Sequence, residues 1–155
     1  MNHLESLVAE WFEFNGYFVR KNTKVGPLSH GGYEGELDIV AFHPETRNLI
    51  HAEPSIDALT WNKRELRFKK KFDAGKKHIP KLFPWLESDA NIKQLAIIWG
   101  SDANHQFIGG GKVVPIKSFM AEVSARMRAM GKVEGNAIPE SYPLLRTFQF
   151  AVLLG

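Results

Sequence analysis

The chain of 155 residues contains no cysteine, which excludes disulfides, thiolate zinc sites and cysteine nucleophiles. No apolar run is long enough to cross a bilayer, and no basic-then-apolar leader follows Met1. A cytoplasmic setting with no membrane partner is therefore expected. Internal repeats and low-complexity segments are also missing, so neither a solenoid nor a biased tail is expected. Acidic residues run slightly short: 17 Asp and Glu against 20 Lys and Arg, a net charge of +3, with a pI of about 9.2. What is present is 44% hydrophobic, enough for a packed core. A single domain over 1–155 is expected, with its core about 1–116 and a helical part over 117–155.

The most informative stretch is GELDIVAFHPETRNLIHAEPS, from Gly35 to Ser55. It reads as two apolar strands joined by a turn, HPETRN, with the Pro, Asn and charge of a hairpin connection. A period of two puts Glu36, Asp38, Val40 and Phe42 on one side of the first strand. The same period puts Leu49, His51, Glu53 and Ser55 on one side of the second. Pairing the strands brings Asp38 and Glu53 together in apolar surroundings, where two carboxylates lose solvation and repel. A hard divalent cation, Mg²⁺ or Mn²⁺, would neutralise them. His51 shares the face of Glu53, where it could serve as a metal ligand or general base; because a metal site for phosphate chemistry favours oxygen ligands, a neutral histidine packed between strands is the expected reading. Pro54 cannot donate to a ladder and marks the strand end.

The elements around this hairpin follow from spacing. Residues 2–15 predict a helix capped by Asn2 with Glu5 at its third position. Leu4, Leu7, Val8, Trp11 and Phe12 form its apolar stripe, with Glu10 at the edge. A strand is expected from Tyr17 to Val25, then a Gly- and Pro-rich loop in which His30 and Tyr33 read as surface. The nearly continuous apolar run Lys93 to Gly100 predicts a buried central strand. Gly109, Gly110 and Gly111 lack the Gly-Lys-Ser/Thr ending of a nucleotide loop and predict a turn or bulge before Pro115. Ile116 to Met130 predicts a helix, with its methionines as core filler. The apolar tail from Tyr142 to Leu154 predicts another, packed on the domain or on a second copy. Trp85 is expected to pack.

Between Lys63 and Lys81 stand nine Lys and Arg against only Glu65 and Asp73. Trp61, Phe68, Phe72 and Ile79 keep helical spacing through this run, so it predicts an amphipathic helix ended by Pro80 and Pro84. Lys63, Arg67, Lys70 and Lys77 share another face. Such an imbalance points to a phosphate-binding surface, carried by Lys63, Arg64, Arg67, Lys69, Lys71 and Lys77.

The order of helix with glutamate, strand, strand with Asp38 and strand with Glu53, then helix and strand, resembles the PD-(D/E)XK nuclease superfamily. With GELDIVAF followed by LIHAEPS, the chain is most similar to small Holliday-junction resolvase-like nucleases, over roughly its first 100 residues. The resemblance implies an α/β fold of restriction-endonuclease-like type, a central mixed sheet of four to five strands flanked by helices. It implies metal-dependent hydrolysis of nucleic-acid phosphodiesters, DNA foremost, and a homodimer as in the resembling group. Glu10 would match the family's helix glutamate, Asp38 the strand aspartate and Glu53 the acid of the E-X-K motif. These three would hold Mg²⁺ or Mn²⁺.

One departure stands out: Ser55 occupies the position of the motif lysine, and serine supplies no positive charge. Three explanations compete. A cation reaches in from elsewhere, with Lys63, Arg67, Lys69 or Lys70 on the following helix or Lys21 on the first strand; Lys70 is the expected catalytic choice. Alternatively the site works slowly with metal and water alone. Or the chain binds nucleic acid without cutting it, as an inactive module or as a protein-interaction subunit on the same scaffold.

Overall fold

The computed structural model describes residues 1–87 and 90–155. Helix α1 (His3–Phe14) begins with the expected capping box: the Asn2 side chain accepts from the Glu5 amide, and Glu5 returns to the Asn2 backbone. Strands β1 (Phe18–Pro27), β2 (Tyr33–Phe42) and β3 (Leu49–Pro54) form an antiparallel meander. Helix α2 (Trp61–Leu82) then crosses to β4 (Ile92–Ile98), which lies parallel to β3. A short hairpin of β5 (Phe107–Ile108) and β6 (Gly111–Pro115) follows, with β6 parallel to β4. Helices α3 (Ile116–Met130), α4 (Val133–Asn136) and α5 (Pro143–Leu154) complete the chain.

The result is an α/β architecture around one mixed six-stranded sheet in the order β1-β2-β3-β4-β6-β5. Alternation in the strands sorts its two faces. Ile39, Ala41, Ile50, Ala52 and Ile97 are buried under α1, α3 and α5. On the other face, Val40, Phe42 and Leu49 meet Ala74 and Ile79 of α2, while Phe68 and Phe72 of the same helix cover Ala96, Ile98 and Val113. The apolar stripes expected in α1, α2 and α3 are therefore the buried ones. Helix α5 packs against α1 and α3 through Leu145, with Phe148 and Val152 half-buried. No helix among the described residues is long and apolar enough to cross a membrane.

Three details differ from the sequence reading. The sheet has a sixth strand, the two-residue β5. Pro80 does not end α2 but sits within its last turn, where it costs one backbone hydrogen bond, and the helix stops after Leu82, before Pro84. Trp85 lies 65% exposed, with its ring edge-on to Phe83, instead of packing in the core.

The three glycines make a tight turn against α2. Gly109 and Gly110 both have positive φ (56° and 90°), as a two-residue hairpin turn requires. A Cβ on Gly109 would lie 2.3 Å from the Lys69 amide nitrogen, and the Gly109 amide donates to Glu65 at 3.0 Å. Gly109→Ala is expected to destabilise the protein by about 2 kcal/mol, read as a lower urea midpoint with unchanged slope.

Candidate functional site

The hairpin brings its two carboxylates together, and the reason lies in how its strands part. The β2–β3 register pairs Ile39 with Ala52; continued by one residue it sets Asp38 opposite Glu53. The backbone ladder stops there. The Asp38 amide donates to the Glu53 side chain (Oε1, 3.1 Å) in place of a strand carbonyl. On the other side of Asp38, β1 places Asn22 in the left-handed region (φ 49°), interrupting its pairing without shifting the register. Leu37 and Val40, three residues apart, share one apolar cluster, so the alternation of sides slips at Asp38. Meanwhile β3 stays with β4 through Pro54, and the Ser55 amide donates to the Ile97 carbonyl at 2.9 Å. Beyond Ile39 and Ala52 the two strands splay, and a cleft of about 470 Å³ opens in the fork, lined among others by Glu5, Glu36, Asp38, Glu53, Ser55 and Lys71.

Helix α2 closes the fork with a lysine. Lys71 Nζ lies 3.1 Å from each Asp38 oxygen and 2.6 Å from Glu53 Oε2. The other Glu53 oxygen takes a bond of 2.8 Å from His51 Nε2. Gln94 Nε2 lies 2.8 Å from the Phe72 carbonyl and 3.1 Å from His51 Nδ1. Its two amide hydrogens serve both acceptors, which leaves Nδ1 without a proton and assigns the proton to Nε2. Each carboxylate oxygen of Glu53 is thus committed, one to the sheet and one to the helix. Gly75 allows this approach, because a Cβ there would lie 2.3 Å from His51 Nδ1.

The two acids differ in protonation. Burial, then the hydrogen bond and charge of Glu53, push Asp38 up to about 8, against the pull of Lys71. Burial also favours the neutral form of Glu53, but hydrogen bonds from His51 and Asp38 and the charge of Lys71 outweigh it and hold Glu53 down to about 2. Lys71 is itself raised: burial works against its charge, and the two carboxylates more than offset that.

Several residues singled out from the sequence lie elsewhere. Glu10 does not join the carboxylates. Its oxygens accept from the Leu144 and Leu145 amides (3.3 and 2.8 Å) and cap the start of α5, whose own N-cap makes no side-chain bond. The α1 glutamate that lines the cleft is Glu5, one capping-box turn earlier. Lys70 is exposed and lines an adjoining groove of about 340 Å³ with Arg67, Lys71 and Asp38; Lys71 reaches the acids in its place. Ser55 lines the cleft but commits its hydroxyl to Asp57. Arg64, expected on a phosphate-binding face, is only 12% exposed and holds Asp57 and the Trp99 carbonyl. Lys63, Arg67, Lys69 and Lys77 do lie on the exposed side of α2, with Arg67 bonded to Asp57, Lys69 to Asp73 and Lys77 to Glu34. His30 and Tyr33 are exposed, as expected of a surface loop.

Lys71 and Glu5 were both within reach of the sequence. Lys71 follows Phe68 by three and precedes Gly75 by four, so it borders the buried stripe, whereas Lys70 points away. Glu5 was absorbed by its role as a capping residue. Among the described residues no group of three His, Asp or Glu side chains converges as a metal cage. Asp38 and Glu53 are the two carboxylates that the fork holds against one lysine; with Asp38 protonated and Glu53 and Lys71 ionised the trio is neutral, and it carries one net negative charge once Asp38 ionises.

Glu10→Gln is expected to lose about 1 kcal/mol of stability through the weakened cap of α5 and to leave Mn²⁺ titration of the protein unchanged. Loss of Mn²⁺ binding in that variant would return Glu10 to the site. A second outcome concerns pH. Between the ordinary aspartate value and about 8, the folded chain holds a proton on Asp38 that the unfolded chain has lost. Stability from this group is therefore present at low pH and falls as pH rises through that window; Glu53 has the opposite sense, gaining between about 2 and its ordinary value. In EDTA, thermal unfolding should show a higher midpoint near pH 5 than near pH 8.5, and Asp38→Asn should flatten the difference.

No protein-family model matches this chain, and no curated protein matches it either.

Proposed function

We propose that the chain is a metal-dependent nucleic-acid phosphodiester hydrolase of the PD-(D/E)XK type, built on a restriction-endonuclease-like variant of the α/β sheet and acting on DNA. The observation that carries this reading is Lys71. The motif's acidic pair, Asp38 and Glu53, stands at the fork of β2 and β3 without the strand lysine, and a lysine from α2 supplies the missing cation at hydrogen-bond distance from both acids.

The donor set suits a hard divalent ion: two carboxylates that line a cleft and that would both be ionised with such an ion bound. Asp38 and Glu53 would hold Mg²⁺ or Mn²⁺, with water completing its shell. Such an ion supplies Lewis-acid chemistry, polarising the phosphodiester and acidifying water. The chain's own groups do the rest. His51 and the Asp38 amide fix Glu53 Oε1, which leaves Oε2 facing the cleft. Lys71 donates hydrogen bonds into the cleft and offsets the charge that builds on the phosphate oxygens. Arg67, Lys63, Lys70 and Lys77 along the exposed side of α2 hold flanking phosphates.

A second reading has one observation of its own. Lys71 Nζ already bridges the acids as an internal cation, and a chain balanced that way can bind nucleic acid without cutting it. The two readings separate in one assay. The hydrolase gives Mg²⁺- or Mn²⁺-dependent product from a mixture of linear, branched and single-stranded DNA; the binding module gives salt-sensitive binding and no product. For the hydrolase, Asp38→Asn should abolish cleavage, and Lys71→Met should lower its rate by about 10²- to 10³-fold, the cost of losing one charge-stabilising donor. Full activity in Asp38→Asn would place the chemistry elsewhere. Lys71→Met should also lose about 3 kcal/mol of stability in EDTA, because two buried acids lose their counterion. Mn²⁺ should recover much of that loss.

A further inference from the structure

We infer that the substrate strand enters this cleft with an unpaired base, which stacks on Trp99. The inference rests on the nuclease reading and adds the class of nucleic acid: single-stranded, or splayed at a fork or branch.

One wall of the cleft is the segment after β3, where Ile56 lies beside Glu53 and Pro54. This segment is pinned. Trp99 Nε1 donates to the Ile56 carbonyl at 3.2 Å. Arg64 donates to the Asp57 carbonyl at 2.8 Å and to the Trp99 carbonyl at 3.4 Å. Asp57 also takes bonds from Ser55, Leu59 and Arg67. The segments after β3 and after β4 are thus tied to the start of α2 by one arginine and one aspartate.

Upon that rigid base the apolar groups face outward. Trp99 and Ile56 are each 54% exposed and Leu59 is 40% exposed. An indole whose N–H edge is fixed while much of its surface remains in water is a preorganised platform. The neighbouring charge decides what it takes. Arg64 holds the Trp99 carbonyl, Arg67 bonds Asp57 and lines the cleft with Ile56, and Lys63 and Lys70 are exposed on the same helix; a chain that carries both phosphates and flat rings matches cations interleaved with an aromatic group. In an intact duplex each base has both faces covered by its neighbours, so only a base out of the stack offers its ring to Trp99. The same helix therefore holds the backbone while Trp99, bonded to the Ile56 segment at the cleft's margin, holds the base.

The test is equilibrium binding in EDTA at low salt, by fluorescence anisotropy, to a single strand, a splayed fork and a blunt duplex of the same sequence. A 2-aminopurine probe in the single strand reports stacking directly through quenching. Trp99→Ala is expected to weaken binding to the single strand and the fork by about tenfold, to leave the blunt duplex unchanged and to abolish the quenching. Trp99→Phe, which keeps a ring, should restore most of both. Lys63→Glu with Lys70→Glu should weaken all three DNAs alike. Equal affinities of wild type and Trp99→Ala, or an equal loss on all three DNAs, would overturn the stacking proposal while the nuclease reading stands. If Trp99→Ala instead abolishes self-association in sedimentation and spares DNA binding, the wall is a contact between copies and the proposal is overturned. Failure of the wild type to bind any of the three DNAs would overturn both readings.

Discussion

Everything in this chain is arranged around one ammonium group held between two acids inside a sheet. Asp38 and Glu53 point into a region with little water, and each alone would pay a desolvation cost of several kcal/mol. Lys71 offsets that cost only if its nitrogen arrives within hydrogen-bond distance of both, so the helix that carries it must come close to the sheet. Small residues make that approach. Ala74 and Gly75 continue from Lys71 along the buried side of α2, and the space a Cβ would fill at Gly75 belongs to the His51 ring. The packing of α2 and the electrostatics of the fork are one constraint.

The carboxylates are chemically unequal although they face the same lysine. Glu53 sits at the end of a strand still paired on its β4 side, and one of its oxygens is saturated by His51 and a backbone amide. Asp38 has no such donors beyond Lys71 and lies where the strand loses pairing on both sides. The pair therefore divides one proton unevenly, with the ionised form on Glu53 and the neutral form favoured on Asp38. A helix-borne lysine also differs from one on the strand: its place is set by how α2 packs on the sheet and not by the β3 backbone.

Much of this was legible from residue patterns. Period-two alternation and the HPETRN turn set Asp38 against Glu53, because strand register over so short a connection leaves little freedom. The capping box at Asn2 and Glu5 and the stripes of α1, α2 and α3 are local signals and were readable as such. Two features were not. Nine cations between Lys63 and Lys81 look interchangeable when counted as charge, and only their phase relative to Phe68, Phe72 and Gly75 separates Lys71, which faces inward, from Lys70, which faces out. Arg64 likewise looks like surface charge until Asp57 folds back on it. The partner of Glu10 lies 134 residues away along the chain, beyond any spacing rule.

That last separation sets an order of assembly. The fork and its lysine come from residues within one hairpin and the helix that follows, whereas the cap of α5 by Glu10 joins elements 134 residues apart. Loop closure over such a span is entropically costly and slow compared with local pairing. The acid–lysine centre and the packing of α1 on β1–β3 can form while α5 is still unmade, and only the cap that Glu10 supplies waits for it.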